Sequence, residues 1–193
     1  MPCRHRFYDS LIPDWEIEYL FVGTFNPEWN YNNAQQADYF YGRSRNNFWC
    51  ILPRVFGGES LKRVELNIKL EYIIKKKIGI TDLVINIQNA SRASIDDRNK
   101  LTKGFSDIVL NQYDLEFNTS NILKLIEKNK STLKGVFLTR STLNGINQIA
   151  TEWNIIVNHC NKYSIHTDRL LTPSRGGCLS KAEIWRNKIL NNN

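Results

Sequence analysis

Four short apolar runs rich in β-branched and aromatic residues punctuate the chain. Glu18–Val22 halts at Gly23; Ile78–Val84, Gly135–Thr139 and Asp168–Thr172 follow, and Pro173 ends the last. Runs of this length, stopped by turn formers, predict buried strands. Between them apolar positions recur at helical spacing. Asn46–Phe56 puts Phe48, Trp49, Leu52, Val55 and Phe56 on one side. Leu61–Lys77 repeats Leu61, Val64, Ile68 and Tyr72 and ends in three lysines, which suit the negative end of a helix macrodipole. Thr119-Ser120-Asn121 reads as an N-cap for a helix through Lys130. Ser141–Val157 and Ser180–Leu190 complete the set, the last with Ala182, Ile184, Trp185 and Ile189 on its buried side.

This alternation predicts an α/β fold, a three-layer α/β/α arrangement around a mainly parallel central sheet. Ligands of such sheets bind at the carboxyl ends of the strands, here the loops after Val22, Val84, Thr139 and Thr172. With 193 residues, 41% hydrophobic and 23% charged, the expectation is one domain over residues 1–193, neither a disordered tail nor a fibrous repeat. No internal repeat or low-complexity linker divides it. Residues 1–13 read only as a polar arm with a few aromatic anchors.

No stretch approaches the roughly 18 apolar residues of a membrane helix, and the N-terminus lacks the apolar core of a secretory signal. The expected location is therefore the cytoplasm beside the nucleoid, or the nucleus in a eukaryote, with no membrane partner. Cys3, Cys50, Cys160 and Cys178 show no metal-type spacing, so reduced thiols are expected. His5, His159 and His166 form no ligand pair, and neither a metal nor an organic cofactor is expected. The net charge of +7 biases encounter towards polyanions, although solubility alone also accounts for it.

Three segments carry candidate chemistry. Gly23-Thr24-Phe25-Asn26-Pro27 follows the first strand and has neither the spaced glycines of a dinucleotide fingerprint nor the Lys-Ser/Thr of a P-loop. Tyr41-Gly42-Arg43-Ser44-Arg45-Asn46-Asn47-Phe48-Trp49 interleaves aromatics, arginines and asparagines ahead of a helix, a mixture of phosphate donors and stacking faces. Read locally, Phe48 and Trp49 also fit a core and Asn46 an N-cap. Thr172-Pro173-Ser174-Arg175-Gly176-Gly177 combines small residues, which let a backbone come close to a ligand, with a cation.

Together these segments resemble the uracil-DNA glycosylase superfamily, most closely its hypoxanthine (deoxyinosine) and mismatch-specific G:T/U branches. The first is similar to that family's first motif, the second to its Tyr-Gly-His-Pro-Arg-Asn-x-Phe-Trp element, the third to its Pro-Ser motif; Gly79–Val84 and Ser94-Ile95-Asp96 resemble the hypoxanthine branch. The similarity runs from about Leu20 to Leu190.

The resemblance implies a monofunctional glycosylase that hydrolyses the N-glycosidic bond of a flipped deaminated base in double- or single-stranded DNA. It also implies a monomer without cofactor. Asn46 matches the catalytic asparagine of the hypoxanthine branch, and Asn26, one position later than the mismatch-specific asparagine, shares the water-positioning role or takes it. Base binding falls to Gly23, Thr24, Phe25, Tyr41, Phe48 and Asp82, with Phe48 stacking on the base. DNA binding falls to Arg43, Arg45, Ser174, Arg175 and Gly176. Ser44 and Arg43 replace the family's Pro and His, and the second motif lacks the histidine of classical uracil glycosylases. No lysine in the motifs stands ready to attack the sugar, so no lyase step is expected. These departures keep a second reading open, a catalytically inactive relative that binds nucleic acid.

Overall fold

In the computed structural model, which describes residues 2–29, 39–103, 105–174 and 176–191, the apolar runs build a four-stranded parallel sheet. Its members are β2 (Tyr19–Gly23), β3 (Ile78–Asp82), β6 (Gly135–Leu138) and β7 (His166–Arg169), in the order β3-β2-β6-β7. Side chains alternate between its faces. Leu20, Val22, Val136 and Leu138 pack with α4 (Thr119–Asn129) and α5 (Asn147–Asn161). Phe21, Ile80 and Phe137 pack with α1 (Phe48–Val55) and α6 (Cys178–Leu190). Burial on both sides explains why these strands read as continuous apolar runs. Among the described residues no helix is long and apolar enough to cross a membrane.

A second, antiparallel sheet of β1 (Cys3–Arg4), β4 (Val84–Ile87) and β5 (Leu115–Phe117) stands beside the first, in the order β1-β4-β5. The run Ile78–Val84 is therefore not one strand. It breaks after Asp82, because β3 pairs with β2 while β4 pairs with β1 and β5. The last parallel strand lies two residues upstream of its expected start. Leu171 already belongs to the connection into α6, where its carbonyl accepts from Trp185 Nε1 at 3.0 Å. Helix α5 begins at Asn147 rather than Ser141, after Gly145 turns the chain with a φ of 74°. Helix α2 (Leu66–Lys75) is shorter than the expected Leu61–Lys77, and α3 (Ile95–Thr102) has no counterpart in the apolar periodicity: it buries only Leu101 and is started by Ser94, whose hydroxyl accepts from the Asp97 amide.

The cysteines depart from expectation. Cys50 in α1 and Cys178 at the start of α6 form a disulfide, 128 residues apart in sequence with Cα atoms 6.1 Å apart, while Cys3 and Cys160 are free and buried. Only the packing of α1 on α6 brings the pair together, and no local spacing foretells it. Closing so long a loop restricts the unfolded chain. Dithiothreitol is expected to destabilise the protein to denaturant by about 2–5 kcal/mol, the usual range for a native disulfide. Cys50→Ser should show that loss without reductant and no further loss with it.

Candidate functional site

The parallel sheet reverses its direction of winding at β2. From there the chain crosses to β3 on one side and later to β6 on the other. Such a switch point leaves a crevice at the carboxyl ends of the strands. A cavity of about 770 Å³ lies there, bordered by Gly23, Thr24 and Asn26 after β2, Asp82 at the end of β3, Thr139 and Arg140 after β6, and Thr172–Ser174 after β7.

Gly23 and Asp82 are register partners, the last pair of the β2–β3 ladder. A side chain at Gly23 has no room: a Cβ there would lie 2.1 Å from Asp82 Oδ1 and 2.4 Å from the Tyr41 hydroxyl. Glycine thus lets both polar groups close against the strand end. Tyr41, with a φ of 58°, lays its ring across Phe48 at 4.1 Å between centroids and 14° between planes. Its hydroxyl meets Thr139 Oγ1 at 2.9 Å. Burial, reinforced by the nearby Asp82 carboxylate, holds the Tyr41 phenol well above its ordinary pKa. Phe48, expected to stack on a base, is fully buried among Tyr41, Phe21, Trp49 and Trp185 and does not border the cavity. The aromatic that does so at this point is Tyr41.

Both candidate asparagines border the cavity, and both have their carbonyl oxygen engaged. Asn26 Oδ1 accepts from Arg43 Nη2 at 3.1 Å. Asn46 Oδ1 accepts from the Phe48 amide at 2.8 Å, an Asx-type turn that leads into α1. The helix cap itself is Asn47. In both residues the amide NH2 is the group left to donate.

Arg43 is partly buried, and desolvation followed by the proximity of Arg6 lowers its guanidinium pKa. It orients Asn26. Arg45 and Ser44 are exposed, and neither borders the cavity.

The loop after β7 is tied to the segment before α1. Asn46 bridges Ser174, the Asn47 amide donates to the Pro173 carbonyl at 2.9 Å, and Asn47 Nδ2 donates to the Gly176 carbonyl at 2.9 Å. Gly176 turns with a φ of 73°, a conformation that suits glycine. Lys181 Nζ from α6 donates to the carbonyls of Thr172 and Ser174. Arg175 lies outside the described residues.

Sequence reasoning missed three groups. Asp107, in a 3-10 turn between α3 and β5, accepts from Thr24 Oγ1 at 2.7 Å and pairs with Arg140. Desolvation raises its pKa despite those two partners. Lys181 and Asn47 organise the last loop. Arg140 directly follows the apolar run Gly135–Thr139, whose end the strand-end rule marks as a ligand loop. Asp107 has no such marker, since its 3-10 turn carries no periodic signal. The third group, His5, comes from the N-terminal arm and meets Asp82 at 2.8 Å.

With this geometry in view, the likeness to known proteins is one of shape. The solution NMR structure of a "putative Uracil DNA glycosylase" from Methanosarcina acetivorans superposes with a TM-score of 0.55 over 92% of this chain and 92% of that one, at 15% identity. The fold is uracil-DNA glycosylase-like. No family model matches the chain, and no curated protein matches it either. At that identity the neighbour shows the glycosylase-like fold alone, and function has to be argued from the cavity.

Proposed function

We propose that this protein is a monofunctional DNA glycosylase that releases a deaminated base, hypoxanthine, uracil or a related one, from DNA as the first step of base excision repair. The observation that carries the reading is convergence: Asn26, Tyr41, Arg43, Asn46, Asp82 and Ser174, separated by up to 148 positions in sequence, border one cavity at the switch point of a glycosylase-like sheet.

Base extrusion costs a few kcal/mol of lost stacking, which a pocket recovers by stacking and edge hydrogen bonds. The ring of Tyr41, backed by Phe48, offers a stacking face worth about 1–3 kcal/mol. The C1'–N bond then breaks with its electron pair passing to the base, through an oxocarbenium-like sugar of the kind known for ordinary glycosides. Water adds at C1', and its proton goes to solvent or to the departing base. Asparagine is no general base, but the donor groups of Asn46 and Asn26 hold the water by its oxygen or stabilise the departing base. Ser174, Gly176, Arg43 and Arg45 face the DNA backbone in this reading. The chain acts as a monomer without a cofactor.

The experiment that tests the reading is chromatography of the base freed from duplexes bearing a single hypoxanthine, uracil, xanthine or G:T mismatch. Release of one of these bases with the strand intact until alkali is added is the expected result. Salt-sensitive duplex binding with no base freed would instead fit the inactive, nucleic-acid-binding relative.

A further inference from the structure

The Cys50–Cys178 disulfide joins the first turn of α1 to the first residue of α6. Each helix begins just beyond residues that border the cavity, Asn46 before α1 and Thr172, Pro173, Ser174 and Gly176 before α6. Base release as proposed makes no use of the sulfur pair.

The four cysteines lie in two kinds of surroundings. Cys3 and Cys160 are fully buried, and that burial pushes both thiols up to about 12, so neither ionises near neutral pH. Cys50 and Cys178 are only partly buried, and Gly177, Leu179 and Ser180 around Cys178 are exposed. Arg54, one turn along α1, donates from Nη1 to Cys50 Sγ at 3.1 Å and stands 4.0 Å from Cys178 Sγ. Its other charged neighbour, Glu59 at 3.8 Å, is almost wholly in solvent, where the pairing is weak. A guanidinium and the first turn of a helix both favour a thiolate over a thiol. Access and a stabilised leaving group therefore meet at this bond, and at neither of the other two cysteines.

We infer that Cys50–Cys178 is a thiol–disulfide exchange site that a dithiol reductant opens, and that its state sets how firmly the start of α6 is held to the segment before α1. The inference does not rest on the glycosylase reading. The thiolate of the reductant attacks Cys178 Sγ. A new S–S bond forms there while the bond to Cys50 breaks, and the electron pair leaves on Cys50 Sγ, which Arg54 faces more closely. A thiolate of lower pKa leaves faster, which selects this direction. The second thiol of the reductant gives its proton to solvent and attacks its own sulfur in the mixed disulfide. Cys178 departs as a thiolate and takes up a proton. The protein gains two electrons and the dithiol becomes a disulfide.

Opening the bond does not part the two helices. Phe48 still packs on Trp185, and Arg186 of α6 still donates to the Arg54 and Val55 carbonyls at the far end of α1. The loosening is local. Beside the sulfurs, the Asn47 amide to the Pro173 carbonyl and Asn47 Nδ2 to the Gly176 carbonyl are then hydrogen bonds without a covalent tie behind them.

The test follows the folded chain in dithiothreitol by alkylation and peptide mass. Without reductant two thiols are expected to be alkylated after denaturation, and with it four. Limiting iodoacetamide on the reduced, folded chain should modify Cys50 at least about tenfold faster than Cys3 or Cys160. Arg54→Ala should slow reduction by about threefold to tenfold, and Arg54→Lys, which keeps a cation there, should retain most of the rate. Hydrogen exchange at the Asn47 amide should rise at least about threefold on reduction, with the amide of Leu52 inside α1 changed less. Four thiols in the unreduced chain, or a bond that opens only when denaturant unfolds the protein, would overturn the exchange site. Reduction of Arg54→Ala as fast as that of the wild type would overturn the assignment of Cys50 as the leaving thiolate. Unchanged exchange at Asn47 in the reduced chain would overturn the effect on the start of α6.

Discussion

On the proposed glycosylase reading, replacing Asn46 by alanine is expected to slow base release by about a hundredfold to a thousandfold, the cost of removing one preorganised donor from a site where charge develops. Duplex affinity should stay within a few fold, since on the same reading Asn46 contributes one amide while the basic groups on the loops hold the backbone. Single-turnover rates and a binding isotherm at one fixed salt concentration check both halves. Asn46 also accepts from the Phe48 amide, so the alanine variant loosens the start of α1 as well. Asn46→Asp separates the two effects: it keeps the acceptor for that amide and removes the donor. A variant as slow as alanine but as stable as the wild type assigns the loss to chemistry. Normal activity in Asn46→Ala moves the role to Asn26, whose amide is oriented by Arg43.

Phe48→Ala has the largest expected effect on stability. The ring is fully buried and in contact with four aromatic neighbours, and large-to-small changes at such sites cost about 3–5 kcal/mol through lost burial and the cavity left behind. Denaturant unfolding should show a lower midpoint with an unchanged slope. Base release is expected to fall as well, because Tyr41 loses the face on which it rests. Phe48→Leu keeps much of the volume and should recover most of the stability. An alanine variant as stable as the wild type, with impaired base retention, would mean that Phe48 meets the base and not the core.

What the sequence disclosed follows from what is local. Strands β2, β3 and β6 announce themselves because both faces are apolar, and their ends point to the right loops. The three motif segments are contiguous, and the structure brings Gly23, Thr24, Phe25, Asn26, Tyr41, Arg43, Asn46, Ser174 and Gly176 from all three, with Asp82, to the border of one cavity. What stayed hidden depends on distance along the chain. His5 is 77 residues from Asp82, Cys50 is 128 from Cys178, and nothing in either neighbourhood marks the partner. Asp107 sits in a turn without periodicity, between a helix that buries one residue and a strand of three. The placement of Tyr41, in place of the expected Phe48, at the cavity has a different cause. Sequence shows that both are aromatic, but which one covers the other is set by the positive φ of Tyr41 and the reach of its hydroxyl to Thr139.

The most direct test of the central claim is single-turnover incubation of labelled duplexes, each with one hypoxanthine, uracil, xanthine or G:T mismatch, resolved before and after alkali, with an Asn26→Ala/Asn46→Ala double variant alongside. Breaks at one lesion that need alkali and vanish in the double variant are the expected result. Intact strands with every lesion, at protein concentrations that saturate the duplex, would contradict it.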